Sequence, residues 1–281
     1  MTEQRTIVIT GASHGIGAAS ARQLAATGAR VVLVGRESEE TAAVANEIDA
    51  PYHAADFTDL SQVNRLADEL LAAYPRIDVL ANNAGGLFKH DTTKDGFEKT
   101  VQVNYLAPFL LTTRLVDRLI ESEASLIQTA SIGHRMYGNL DLDDLNNEKK
   151  WSATKAYGDS KVALILFSME LHRRYHARGI NTVAFHPGNV STSFGTDTAL
   201  LFRLFYRSPI VQRLLLISAD KGGAALTRFI DGTPGVTWQS GEYYEDNKIA
   251  PAKKRNPQID DKTLGRQLWE RSEALLGISA A

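Results

Sequence analysis

The sequence predicts an α/β fold: one doubly wound domain whose mostly parallel sheet is flanked by helices on both faces. Three observations carry that expectation. Short β-branched runs alternate with helix-like stretches along most of the 281 residues, the order that crossover units produce. The first apolar run, Thr6 to Ile9, leads through Thr10-Gly11-Ala12-Ser13-His14-Gly15-Ile16-Gly17 into a helical pattern. No repeat, low-complexity tract or Pro/Gly-rich linker divides the chain, so residues 1–281 read as a single unit.

Taken in order, the runs at 6–10, 30–35, 51–54, 77–82, 125–129, 181–185 and 241–244 are short and mostly apolar, and read as strands. Helical patterns lie between them at 15–27, 38–48, 60–74, 95–122, 157–177 and 219–229. Two stretches break the alternation, an insert at 133–154 and a segment at 191–218 rich in Phe, Leu, Tyr and Arg. Both follow strand C-terminal ends, where open sheets bind ligands. Long irregular stretches at such places read as lids or binding loops.

Composition sets bounds. Hydrophobic content of 43% and charged content of 23% are ordinary for a soluble globular protein. A net charge of -2 leaves no broad basic surface for nucleic acid. The chain has no cysteine, which excludes disulfides, thiolate zinc sites and thiol catalysis, and fits a cytoplasmic protein. Five residues precede the first strand, too few for a signal peptide or membrane anchor. The most lipophilic stretch, 199–217, carries Arg203, Arg207, Pro209 and Arg213, which argues against a transmembrane span.

A strand leading through a glycine-rich turn into a helix is the context in which backbone wraps a dinucleotide pyrophosphate. Gly11 permits the tight bend, Gly15 lets backbone approach the phosphates, and Gly17 allows close packing of helix on strand. The helix N-terminus supplies free N–H groups and positive dipole charge. The run Val31-Val32-Leu33-Val34 ends in Gly35-Arg36 rather than in a carboxylate. A guanidinium there suits a ribose 2'-phosphate, with Ser13 and His14 adding hydrogen bonds. NADP(H) is therefore expected over NAD(H). The alternative for Arg36 is a solvated charge at a strand end, and Glu37 beside it leaves NAD(H) open.

Tyr157 and Lys161 stand four apart on a helical pattern, so phenol and amine project from one face. A free tyrosine titrates near about 10. Lowering that by about three units takes roughly 4 kcal/mol of differential stabilisation, which a neighbouring ammonium and an oxidised nicotinamide can supply. Tyr157 then reads as a general acid for carbonyl reduction and a general base for alcohol oxidation.

These motifs, together with Asn82-Asn83-Ala84-Gly85, Asn104, Ser131 and Pro187-Gly188, occur in an order that resembles the short-chain dehydrogenase/reductase family, a Rossmann fold. The likeness runs from the first strand to about residue 192. It implies that Ser131 donates to the substrate oxygen and that Lys161 also holds the ribose hydroxyls. It implies that Asn104 kinks a helix and holds a water behind Lys161. Asp56, with Phe57 beside it, matches the adenine contact, and a turn or helix cap is its equal alternative. Asn83, Ala84 and Gly85 resemble the loop beside the ribose, with Asn83 serving the sheet as well. Pro187, Gly188, Val190 and Thr192 resemble the clasp on the nicotinamide amide.

Tyr157 comes 26 positions after Ser131, a longer spacing than is common in the family. That insert, Trp151, and the ending Ser240-Gly241-Glu242-Tyr243-Tyr244 resemble the retinol dehydrogenase-like branch. Its members typically reduce lipophilic aldehydes and ketones with NADPH, and family members are often dimers or tetramers. The partner expected here is a small carbonyl or alcohol substrate, with homo-oligomerisation left open. Phe194, Leu201, Phe202, Phe205 and Tyr206 read as a lipophilic pocket, as core, as an oligomer contact, or as weak membrane contact. His134, Met136 and Asn189 are further pocket candidates because they follow strand ends. His172 and His176 have a zinc-compatible spacing but no third ligand, so no metal is expected. The rival reading is a cofactor-sensing or scaffold protein on the same fold. Its expected mark, a lost catalytic member, does not occur among Asn104, Ser131, Tyr157 and Lys161.

Overall fold

The computed structural model describes residues 4–36, 38–188 and 218–278. Its centre is an eight-stranded sheet in the order β3-β2-β1-β4-β5-β6-β7-β8. The strands are β1 (Thr6–Thr10), β2 (Arg30–Gly35), β3 (Tyr52–Ala54), β4 (Val79–Asn82), β5 (Ser125–Thr129), β6 (Asn181–Phe185), β7 (Glu242–Glu245) and β8 (Lys248–Ile249). All neighbours pair in parallel except β7 with β8.

The continuous apolar runs of β1 and β2 follow from burial on both faces. Side chains alternate along each strand, and this alternation builds two cores. Val8, Val32, Val34 and Leu80 join the face covered by α3 (Leu60–Ala73), α5 (Ala107–Glu121), α7 (Ala153–Tyr175) and α9 (Lys262–Leu276). Ile7, Ile9, Val31 and Leu33 join the face covered by α1 (Gly15–Ala26), α2 (Ser38–Glu47) and α8 (Ala219–Asp231). The last of these packs hard on α1. A Cβ on Gly223 would lie 2.7 Å from that of Ala19, and Ser20 Oγ meets Thr227 Oγ1 at 2.9 Å.

The expected helix at 95–122 differs from the observed one. Gly96 takes a left-handed backbone (φ +85°) in a turn closed by Thr93 N–H to Phe97 O at 2.9 Å. Helix begins only at α4 (Lys99–Val101), where the Glu98 carboxylate accepts the Val101 N–H at 2.9 Å. A π-helical turn, Gln102–Leu106, then leads into α5. The expected helix at 157–177 instead starts at Ala153, because Ser152 caps it by accepting from the Lys155 N–H at 3.1 Å. The insert is not wholly irregular. It holds the one-turn α6 (Gly133–Met136) and a 3-10 turn, Leu142–Asp144. Among the described residues no helix is long and apolar enough to cross a membrane.

Candidate active site

Strand order reverses between β1 and β4, and the glycine loop sits at their C-terminal ends, the switch point where such sheets bind ligands. Gly11 (φ +66°) and Gly15 (φ +61°) both adopt left-handed backbone. A Cβ on Gly11 would lie 2.7 Å from Ala84 Cα, and one on Gly17 would lie 2.3 Å from the Gly11 carbonyl oxygen. The close contact that Gly17 permits is thus with the loop itself and with Asn83.

Helix α1 starts with His14 in extended backbone, without a side-chain cap among the described residues and without an acidic group in its first turn. Its terminal N–H groups and positive dipole end suit an anion. With glycines lining the approach, these residues fit a dinucleotide pyrophosphate. Ser13 Oγ and His14 Nδ1 lie 3.0 Å apart, and Ile16 is half-buried against the α1 core. Ala12 N–H donates to Val34 O at 3.0 Å, drawing the loop to the end of β2. The exposed Arg36 follows two residues later.

Asn83 ties three strands together. Its amide donates to the Thr10 carbonyl at 3.0 Å and to that of Gly11 at 3.3 Å, while its Oδ1 accepts from Thr129 Oγ1 at 3.2 Å. Asp56 Oδ1 accepts from the Thr58 N–H and hydroxyl at 2.9 and 2.8 Å, the turn alternative for that residue. The helix cap belongs to Asp59, which accepts from the Ser61 N–H. Phe57 is buried in the core, so only its backbone is available to a nucleotide. Pro187 and Gly188 (φ +93°) follow β6, whereas Asn189, Val190, Thr192 and the apolar segment up to 217 lie outside the described residues.

At the same sheet edge α7 presents Tyr157 and Lys161. The Lys161 ammonium is 5.6 Å from the centre of the Tyr157 ring and donates to the Thr129 carbonyl at 3.0 Å. Burial pushes Lys161 down to about 8, which leaves it cationic at neutral pH. Tyr157 packs against Gly133: a Cβ there would lie 2.7 Å from the ring and 3.4 Å from Ser131 Oγ. Ser131 Oγ accepts the Gly133 N–H at 3.1 Å, so its own proton is left to donate.

Asn104 lies in the π-helical turn, fully buried. Its Oδ1 accepts the Gly86 N–H, and its Nδ2 donates to Gly86 O and to Ser160 Oγ, at 2.8, 2.8 and 3.0 Å. The side chain thus pins the Asn83–Gly86 loop to α7. A π-helical turn stands where the kink is expected.

Several residues that shape this site escape sequence reasoning. Gly133 is one. Gly158 is another, since a Cβ on it would lie 2.5 Å from the Gly138 backbone nitrogen. Asp159 is buried, accepts the Asn139 N–H at 2.6 Å and pairs with Lys155, locking the insert to α7. Glycines just after Ser131 and Tyr157 are a usable local signal; for Asp159 there is none. Of the pocket candidates, Met136 is exposed but His134 is fully buried behind Ser131, so it lines no open pocket. The rings of His172 and His176 stack at 4.4 Å, and their Nδ1 atoms meet Ser240 Oγ and the Ile180 carbonyl.

A family profile described as short chain dehydrogenase matches residues 5–199. The chain belongs to the short-chain dehydrogenase/reductase family. It is 42% identical, over 98% of its length and 94% of the relative's, to a Streptomyces sp. (strain C5) protein named as a daunorubicin C-13 ketoreductase, DnrU. It is 33% identical to human retinol dehydrogenase 13, over 98% of its length and 86% of the relative's. Among solved structures, an uncharacterized protein from Mycobacterium paratuberculosis superposes with a TM-score of 0.77 at 30% identity, covering 98% and 94% of the two chains. Membership makes the chain an oxidoreductase acting between alcohols and carbonyls, in a family that uses NAD(P)(H).

Proposed function

We propose that the chain is an NADP(H)-dependent reductase of lipophilic aldehydes or ketones, with Tyr157 as its general acid. The observation that carries this reading is the meeting of Tyr157, Lys161 and Ser131 around Thr129 and Gly133, at the sheet edge that also holds the glycine loop. A bound reduced nicotinamide supplies the hydride. The Tyr157 phenol gives its proton to the carbonyl oxygen, and the Ser131 hydroxyl hydrogen-bonds that oxygen as charge develops on it. Lys161 stabilises the phenolate left behind and has protons free for ribose hydroxyls. Asn104 and Gly86 hold the nucleotide loop in register with α7.

Arg36 after β2, backed by Ser13 and His14, supports the 2'-phosphate and hence NADP(H). The names of the two relatives, a retinol dehydrogenase and a daunorubicin C-13 ketoreductase, support a carbonyl or alcohol substrate, the first of them a lipophilic one. The composition of 191–218 also supports a lipophilic one. The test is Tyr157→Phe, assayed with NADPH and a graded panel of aldehydes and ketones. We expect kcat/KM to fall at least about 100-fold while NADPH affinity stays within about twofold. Wild-type binding without turnover across the panel would instead favour a cofactor-sensing protein.

A further inference from the structure

Ser131 is held from behind. His134 is fully buried, and two of its N–H groups reach the Ser131 carbonyl, the backbone at 3.2 Å and Nδ1 at 2.6 Å. A carbonyl only accepts, so Nδ1 carries the proton and Nε2 keeps the lone pair. Burial lowers the ring's pKa, so this neutral tautomer persists at physiological pH. The ring meets Tyr243 edge-on, with centroids 4.7 Å apart.

A single helical turn such as α6 is not self-supporting. It is braced by a segment far along the chain. Asn256 is buried and donates both Nδ2 protons, to the carbonyls of His134 and Gly138, at 2.7 and 2.8 Å. Gln258 accepts the Leu140 N–H and donates to the Leu140 carbonyl, both at 2.8 Å. The braced stretch includes Gly133, whose N–H orients Ser131 Oγ and whose bare Cα lies against Tyr157.

We propose that His134 and Asn256 are positioning residues, a buried clamp that fixes the orientation of Ser131 toward the substrate oxygen; this rests on the reductase reading above. The clamp matters because a displacement of about 1 Å in a reacting geometry costs on the order of 100-fold in rate. It joins the site to residues 256–258, which lie beyond the stretch matched by the family profile.

Amide substitutions test the clamp. His134→Asn puts an N–H donor near the place of Nδ1, His134→Gln puts one near Nε2, and His134→Phe removes both. Asn256→Asp keeps the shape and loses both donors. We expect kcat to fall about 10- to 100-fold in His134→Phe, His134→Gln and Asn256→Asp. NADPH affinity should stay within about twofold, and His134→Asn should recover most of kcat. The double variant should lose little more than the worse single one, since both act through Ser131. Nitrogen-15 spectra of the wild-type protein supply a reading that needs no variant to fold: Nδ1 of His134 should be the protonated nitrogen. Protonation at Nε2, or wild-type kcat in both His134→Phe and His134→Gln, would overturn the clamp alone. Absence of wild-type turnover would overturn the reductase reading itself.

Discussion

Lys161 carries its charge where charge is least welcome. It is 4% exposed, and its pKa falls to about 8 from the 10.5 of a solvated lysine because burial disfavours the ammonium. Between these values the unfolded chain binds more protons than the folded one, so this group makes stability rise with pH across that window. Below pH 8 the buried ammonium costs the free protein on the order of 3 kcal/mol. Lys161→Met removes that cost and leaves the Thr129 carbonyl without its donor, a loss of about 1–3 kcal/mol. We therefore expect Lys161→Met to be inactive yet at least as stable as wild type at pH 7, by up to about 2 kcal/mol. Its advantage should shrink as pH rises through 8 toward 10.5. Denaturant melts of the two proteins at several pH values check this. A deficit that does not change with pH would mean that the ammonium is not destabilising the fold.

Among the elements, α7 has to hold two side chains to a fraction of an ångström, and Gly158 shows how. Glycine inside a helix costs about 1 kcal/mol relative to alanine, so propensity alone predicts that Gly158→Ala stabilises. Packing predicts the reverse. The added Cβ would lie 2.5 Å from Gly138 N and from Tyr137 C, both backbone atoms of the insert. Overpacking of this kind costs about 1–3 kcal/mol, and backbone has little room to yield. We expect a lower melting temperature and a kcat reduced by at least about tenfold, because α7 must shift under Tyr157. An unchanged or raised melting temperature with full activity would refute the contact. The same competition explains where element boundaries are legible in the sequence. Strands with apolar runs buried on both sides, β1, β2 and β5, are plain. The late start of the helix at Lys99, after the turn at Gly96, is not, because glycine in a polar stretch does not announce its sign of φ. Nor is α9, although Asp261 before it and Gly277 (φ +64°) after it are ordinary start and stop signals, respectively.

For the whole molecule, what the sequence makes legible is what the chain arranges locally. The glycine loop, the strand-end Arg36 and the Tyr157–Lys161 pair each fit within a turn or two, and the order in which they occur resembles one family, while the parallel sheet brings them to one edge. Asn256 meets His134 across 122 residues, and no local pattern betrays such a contact. The site is therefore a property of the assembled sheet, and cofactor binding should be felt by the whole fold. Asn83 joins the ends of β1, β4 and β5 directly beneath the glycine loop. A ligand that binds only the folded chain stabilises it by mass action, and at equal ligand concentration a 100-fold difference in affinity is worth about 2.7 kcal/mol. For a chain of this size that corresponds to roughly 5 °C in melting temperature. If Arg36 receives a 2'-phosphate, NADPH should raise the melting temperature several degrees more than NADH does at the same concentration. Arg36→Ala should close that gap by lowering the NADPH shift while leaving the NADH shift nearly unchanged. Equal shifts in the wild type, or a gap that survives Arg36→Ala, would remove the phosphate from Arg36 and return the cofactor preference to the choice between NADP(H) and NAD(H).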